Sequence, residues 1–486
     1  MNTYIGIDLG TSSVKMLLVN ADGKILSCVS RACPISYPHS GWSEQNPEDW
    51  IKAVNEGLDE LLSDRDRCDV RGISFGGQMH GLVILDENDE VIRPAILWND
   101  GRTEKETAYL NETVGKDRLS EYTANIAFAG FTAPKILWLK ENEPESFKRI
   151  AKIMLPKDYL AYKMTGVHST DYSDASGMLL LDVKNKCWSK EMMEICSVKE
   201  EWLPKLYESY QVIGNPLPEY ELCNAVVTAG AGDNAAAAVG CGILAHGECN
   251  ISLGTSGTVF ISSDSFSPDK TNALHAFCHA NGRYHLMGCI LSAASCNKWW
   301  LEEVLHTNDY EGEEEGLTAL MGKNEVLFLP YLMGERSPHN DTSARGAFIG
   351  MRSDTSREKM NLAVMEGVAF ALRDCVERAV EDGVKVTCSG ICGGGAKSKT
   401  WKKIVASVLG IPIHSFESEE GPSMGAAMLA MVGAGEYSSL SECAAVITKI
   451  SETVYPSEAD VRKYEEKYRI FKALYPALKE SFSKIN

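Results

Sequence analysis

The chain is short of positive charge: among 486 residues, 48 Lys and Arg face 67 Asp and Glu, giving a formal net charge of −19. No Lys/Arg-rich run offsets that balance, which argues against nucleic acid and anionic membrane as partners. No stretch approaches about eighteen consecutive apolar residues, so no membrane-spanning segment is expected. The opening MNTYIGIDLG has neither a basic region nor an apolar signal core, so no export signal is expected either. Paired C-x-x-C spacing is also missing from the 15 cysteines, which read as reduced, mostly buried thiols in a cytoplasmic protein. HAFCHA groups His275, Cys278 and His279, but no second ligand pair at zinc-site spacing accompanies them. The pattern G-x-x-x-x-G-K-[ST] is absent, which excludes a P-loop enzyme.

What is there reads as a soluble globular protein of two or three domains, with 24% charged and 44% hydrophobic residues. YIGIDLG, VKMLLVN and KILSCVS are β-prone runs, the last two flanking the hairpin signal ADG. NPEDWIKAVNEGLDELLSD follows with helical periodicity, its proline and acids in the first turn, and RGISFGG returns to a strand. This β-β-β-α-β order does not fit a doubly wound dinucleotide fold, which passes directly from strand to crossover helix. The pattern then recurs. GIDLGTSSVKMLL (6–18) and NISLGTSGTVFIS (250–262) both place L-G-T-S between apolar runs. ISFGGQMHG (73–81) and GICGGGAKS (390–398) both leave a strand into paired glycines. Such self-similarity points to a duplicated domain with a cleft between the copies. The boundary is expected near residues 243–248, dividing the chain into domains 1–245 and 246–486. SEADVRKYEEKYRIFKALYPALKES reads as an amphipathic helix with a charged outer face.

One acid stands out. In TAGAGDNAAAAVGCG (228–242) every residue except Asp233 and Asn234 is small or apolar. A carboxylate in such company is a helix cap or a reactive group, and the residues alone leave both open. The D-L-G-T-S tip suits phosphoryl oxygens: Gly10 permits close approach, and Thr11, Ser12 and Ser13 supply hydroxyl and N–H donors. Asp8 is placed to hold a hydrated Mg²⁺, and Lys15 to reach a terminal phosphate. The rival is a dinucleotide site, since GAGDNA and GCGILA both satisfy a relaxed G-x-G-x-x-A. Against it, the only nearby acid, Glu248, precedes the next strand instead of closing it.

GFTAPKILWLKEN (130–142) and GAFIGMRSDTSREKMNLAVME (346–366) resemble the two signatures of the FGGY carbohydrate kinases. The second departs at Lys359, where the signature has an acid, an amide or a histidine. GWSEQNPEDW, GQMHG, RPAILWNDGR, LPKDYL, GDNAAAAVG, SLGTSG, LSAASC and FLPYLMGERSPHN extend the resemblance over essentially the whole chain, most closely to the family's xylulokinases. The resemblance implies an α/β fold of duplicated actin/ribonuclease H-like ATPase domains flanking a catalytic cleft. It implies an ATP- and Mg²⁺-dependent kinase phosphorylating a small sugar, D-xylulose first. D-ribulose, L-ribulose, gluconate and other polyols stay open, as does a non-catalytic actin-like ATP-binding switch.

By the same resemblance Asp233 is the general base, Met79 and His80 contact the sugar, and Asn234 sits against its hydroxyls. Trp98 and its neighbours in WNDGR shape the sugar pocket, although Asp100 and Arg102 also read as a turn closed by a salt bridge. Gly10, Thr11, Ser12, Gly254 and Thr255 approach the phosphates, Gly394 and Gly395 line the adenosine site, and Asp8 takes the metal side. Lys157 and Asp158 read as a buried pair that locks a helix. The sequence does not give the oligomeric state, and a homodimer stays open.

Overall fold

The computed structural model describes residues 2–418 and 420–485. The chain divides into two compact units that do not follow a single cut. Unit 1 comprises Met1–Leu244, Ala276–Tyr284 and Glu420–Thr448; unit 2 comprises Ala245–His275, His285–Glu419 and Lys449–Asn486.

Unit 1 is built on a sheet in which Thr3–Leu9 lies between Ser13–Asn20, antiparallel, and Val70–Gly77, parallel. Ile25–Ala32 extends it on one side, and Val226–Thr228 and Val212–Gly214 on the other. Alternation along Thr3–Leu9 decides what each face carries. Ile5, Ile7 and Leu9 join a core with Trp50, Leu58, Ile73 and Phe75. That side is covered by the helix Pro47–Leu61, which the sequence marked by Pro47 in the first turn with Glu48 and Asp49; the structure adds a cap, Asn46 accepting from Glu48 N–H. Gly6 and Asp8 face the other way.

Two glycine- and alanine-rich helices cover that second face, Asp233–Gly240 and, from far along the chain, Gly421–Gly433. They approach closely because the contact positions carry almost no side chain. A methyl group on Gly6 would overlap the Ser423 carbonyl oxygen, and one on Gly425 would overlap that of Ala236. Ser423 to Met431 are all buried.

Unit 2 repeats the plan. Glu248–Leu253 pairs antiparallel with Gly257–Ser263 and parallel with Cys388–Cys392, and Ile413–Phe416 adds a further parallel strand. The helices Arg357–Glu381 and Lys399–Leu409 belong to this unit, with Glu458–Ile485 at the tail. The tail helix is amphipathic as its sequence indicates, burying Tyr464, Tyr468, Phe471, Tyr475 and Phe482. Tyr464 Oη donates to Glu366 at 2.8 Å and Tyr468 Oη to Asp374 at 2.7 Å. Two units with the same antiparallel-then-parallel arrangement around a first strand are the duplication anticipated from the L-G-T-S repeat. Among the described residues no helix is long and apolar enough to cross a membrane.

Candidate active site

Sheet register brings the acids of unit 1 together. Gly76 lies opposite Asp8 on one side and Ala231 on the other, so Asp8 and the segment leading into Asp233 flank one strand. At about 4.8 Å per strand spacing the two backbones are roughly 10 Å apart. A methyl group on Gly76 would sit 3.3 Å from Ala236 Cβ, 3.4 Å from Pro422 O and 3.6 Å from Asp8 Oδ1, so the absence of a side chain there lets these groups close around the strand.

Asp233 is the first residue of its helix, and the cap position belongs to Gly232, which has no side chain to bond. The carboxylate instead accepts from the N–H of Asn234 at 2.7 Å and from its Nδ2 at 2.9 Å. The cap reading of Asp233 is therefore set aside, because a side chain at the first helical position is one residue late for that bond. Burial pushes its carboxyl up to about 6, against the two Asn234 donors that hold it down.

Asp8 is perturbed further. Burial first, then the charge of Asp233, raise it to about 7, with Lys15 pulling the other way and Glu420 adding to the rise. Asp8 Oδ1 is buried and has no hydrogen-bond partner. Among the described residues no cluster of three or more His, Cys, Asp or Glu could hold a metal. An orphaned carboxylate oxygen without a protein cage fits Mg²⁺, which keeps most of its water and is held by one or two carboxylates plus phosphate.

Lys15 stands opposite Asp8 in the antiparallel ladder, and its Nζ pairs with Glu420 at 2.5 Å. The L-G-T-S tip is tied down from several directions. Gly10 N–H bonds Ser13 O at 3.0 Å, Gln45 Nε2 donates to Thr11 O at 2.7 Å, and Trp98 Nε1 donates to Thr11 Oγ1 at 2.9 Å. Trp98, 43% exposed, thus reaches the same tip as Thr11. In WNDGR, Arg102 pairs with Asp100 at 2.7 Å and Glu44 at 2.8 Å, and stacks over Trp42.

Met79 and His80 leave the strand Val70–Gly77 and turn towards Asp233. Met79 is buried against Gly232, where a methyl group would lie 3.0 Å from its Sδ. His80 has φ of 69°, stacks on Phe131 at 4.6 Å, and approaches Gly177 O at 2.7 Å through Nδ1. A carbonyl only accepts, so Nδ1 carries a proton. Lys135, fully buried, fixes this turn by donating to His80 O at 2.8 Å and Gly130 O at 2.7 Å. Burial holds its ammonium well below the ordinary lysine value.

The remaining expected residues, Gly254, Thr255, Gly394 and Gly395, meet in unit 2. Ala294 N–H bonds Gly254 O at 2.8 Å and Ala293 N–H bonds Thr255 O at 2.9 Å. Gly393 has φ of 88°, and a methyl group there would lie 2.7 Å from Leu253 O. The glycine run is thus pressed against the strand that ends in the second L-G-T-S tip. At Gly394 a methyl group would meet nothing within 4 Å.

Beneath Asp233 lies a buried cluster that motif reading saw only in part. Lys157 Nζ pairs with Asp158 at 2.6 Å, but also with Asp171 at 2.9 Å and Asp174 at 3.8 Å. Neither carboxyl oxygen of Asp174 has a hydrogen-bond partner, and burial drives its pKa well up, with Lys157 opposing and Asp158, Asp171 and Asp233 adding to the rise. The alternation of hydroxyls and acids in STDYSD was the signal available for Asp171, Ser173 and Asp174.

Comparison with known proteins bears on the whole chain. The N-terminal domain model of the FGGY family of carbohydrate kinases matches residues 3–240, and the C-terminal domain model matches residues 249–434. A xylulose kinase of Bacillus subtilis (strain 168) is 40% identical over 489 residues, covering 99% of this chain and 98% of that protein. The crystal structure of a xyloylose kinase from Brucella ovis is 38% identical, with a TM-score of 0.94 over 99% of this chain and 100% of that one. That of a gluconate kinase from Lactobacillus acidophilus is 25% identical, with a TM-score of 0.95 over 100% of both chains.

Proposed function

Because the chain belongs to the FGGY family of carbohydrate kinases, we propose that it transfers the γ-phosphoryl group of ATP to D-xylulose, giving D-xylulose 5-phosphate, with Asp233 as general base. The observation that carries this reading is the placement of Asp233: first in its helix, unhooked from capping, next to Met79 through Gly232, and raised to about 6. A carboxyl with that pKa is ionised at neutral pH, yet is a better proton acceptor than an ordinary aspartate. Full-length identity to a xylulose kinase supports the choice of sugar.

In this reading Met79, His80 and Asn234 hold the sugar, Trp98 walls it beside the Thr11 tip, and Asp233 takes the proton of the attacking hydroxyl. The phosphates are received in unit 1 by Gly10, Thr11 and Ser12 at the end of a strand, with Lys15 close by. The N-terminal ends of Asp233–Gly240 and Gly421–Gly433 add favourable dipoles there. In unit 2, Gly254 and Thr255 supply a second tip for phosphate oxygens, and Gly394 gives a bare surface for adenosine, with Gly395 buried behind it against Leu253 and Trp401. Asp8 would hold Mg²⁺, which when bound offsets charge on the phosphates. Little covalent work is left to the protein beyond orientation, charge neutralisation and proton removal.

A second substrate, gluconate, is favoured by the likeness to the Lactobacillus gluconate kinase and leaves the chemistry unchanged. ADP release from MgATP, measured with D-xylulose, D-ribulose, L-ribulose, gluconate, glycerol and no sugar, tests the reading. Stimulation by D-xylulose, lost in Asp233→Asn while ATP still binds, is expected. Stimulation by another sugar alone moves the substrate. An Asp233→Asn variant as active as the unmodified protein overturns the base.

A further inference from the structure

We infer that the Asp171 carboxylate, acting through Ser173, is the device that positions Asp233. This rests on the reading of Asp233 as base and extends it to residues that touch no substrate.

The chain enters Asp233 through the segment 229–232, which ends in the short strand Ala231–Gly232, and that segment is tied at successive points. Lys157 Nζ donates to Ala229 O at 3.3 Å. Gly230, with φ of 79°, gives its N–H to Ser209 O at 3.0 Å. Gly232, the residue before Asp233, gives its N–H to Ser173 Oγ at 3.2 Å. Behind these ties stands one side chain. Asp171 Oδ2 accepts from Ser173 Oγ at 2.5 Å, Ser173 N–H at 2.8 Å and Ser209 Oγ at 2.7 Å, while Oδ1 faces Lys157 Nζ at 2.9 Å. Asp171, Lys157, Ser173 and Ser209 are at most 1% exposed, so no water competes for these bonds.

The geometry separates two serines that are otherwise alike. Both are buried and both donate to Asp171 Oδ2. Only Ser173 continues through its hydroxyl to the backbone next to Asp233. Ser209 reaches the segment through its carbonyl, which a side-chain substitution leaves in place. A cluster that merely stabilised unit 1 would feel the loss of either hydroxyl in stability and leave turnover in the folded protein alone. A positioning device would feel the loss of Ser173 in turnover, because a small displacement of a base from its in-line hydroxyl is enough to slow proton removal.

The test compares Ser173→Ala, Ser209→Ala and Asp233→Asn by ADP release with the stimulating sugar, alongside thermal unfolding and sugar KM. Both serine variants should lose thermal stability, Ser173→Ala the more because it also strands the Gly232 N–H. Ser173→Ala should lower kcat by roughly ten- to a hundred-fold with a much smaller change in sugar KM, and Ser209→Ala should keep kcat within about twofold. Equal kcat in the two serine variants, with Asp233→Asn inactive, overturns the positioning role and leaves the base intact. An active Asp233→Asn variant removes the base itself, and with it this inference. If Ser173→Ala does not fold, Ser173→Cys, which keeps a weaker donor and acceptor at the same place, carries the same comparison. Turnover in Ser173→Cys equal to that of Ser209→Ala overturns the proposal, and turnover well below it supports it.

Discussion

Asp8→Asn should make the ligand-free protein more stable at pH 8 while removing its turnover. The reason is the buried carboxyl, raised from 3.8 to about 7. A group whose folded-state pKa is raised contributes stability below its unfolded pKa and loses it as pH rises towards the folded value. Between those two values each pH unit removes about 1.4 kcal/mol, so Asp8 costs about 4 kcal/mol at pH 8, where it is ionised in the fold, and about 2 kcal/mol at pH 5, where it takes up a proton on folding. Asparagine has nearly the shape of the protonated acid and carries no charge. Its introduction should therefore gain about 4 kcal/mol at pH 8 and roughly half of that at pH 5. Since Asp8 Oδ1 has no hydrogen-bond partner, no bond to that oxygen is lost in exchange. Urea unfolding of both proteins at the two pH values, without nucleotide or Mg²⁺, reads the difference. A gain that does not change between pH 5 and pH 8, or a loss of stability at pH 8, refutes the reasoning.

Turnover at saturating sugar and MgATP should fall as pH drops through about 6, where Asp233 takes up its proton; a rate independent of pH between 5 and 8 contradicts it. Lys135→Met should raise sugar KM roughly tenfold with less effect on kcat, because it leaves Thr132 Oγ1 as the remaining side-chain donor to His80 O. Steady-state kinetics over a range of sugar concentration separates the two parameters. Gly6→Ala should destabilise unit 1 by about 3 kcal/mol or more, since the methyl group meets the Ser423 backbone, not a side chain able to turn away. Urea unfolding measures it, and a near-neutral variant would mean that the Gly421–Gly433 helix shifts freely.

Local pattern made the frame of each unit legible. GIDLGTSSVKMLL announced its hairpin through alternation and a glycine tip, and NPEDW announced a helix start through its proline and first-turn acids. Repetition of the hairpin announced the duplication. Less legible was anything whose partner lies far along the chain. Lys15 was legible as a cation a few residues beyond the tip, but its partner Glu420, about 400 residues on, was not. Lys157 looked like half of a pair because Asp158 is adjacent, whereas Asp171 and Asp174 arrive from other elements. Asp233 missed capping by one residue, a distinction set by backbone angles at Gly232 that composition does not encode.

The Gly421–Gly433 helix also fixes when unit 1 can be finished. During synthesis the first 244 residues emerge with the helix Asp233–Gly240 but without this one, and the part of the face around Gly6 that it covers waits until about 180 more residues have followed. At 5–20 residues per second that is a wait of roughly ten to forty seconds. A fragment cut after residue 244 would keep Asp8 and Asp233 and lack the helix that covers their side of the sheet, so the two halves of this gene product are not separable parts. A circular permutant that begins at Glu420 and runs from residue 486 into residue 1 would bring this helix out ahead of the sheet it covers.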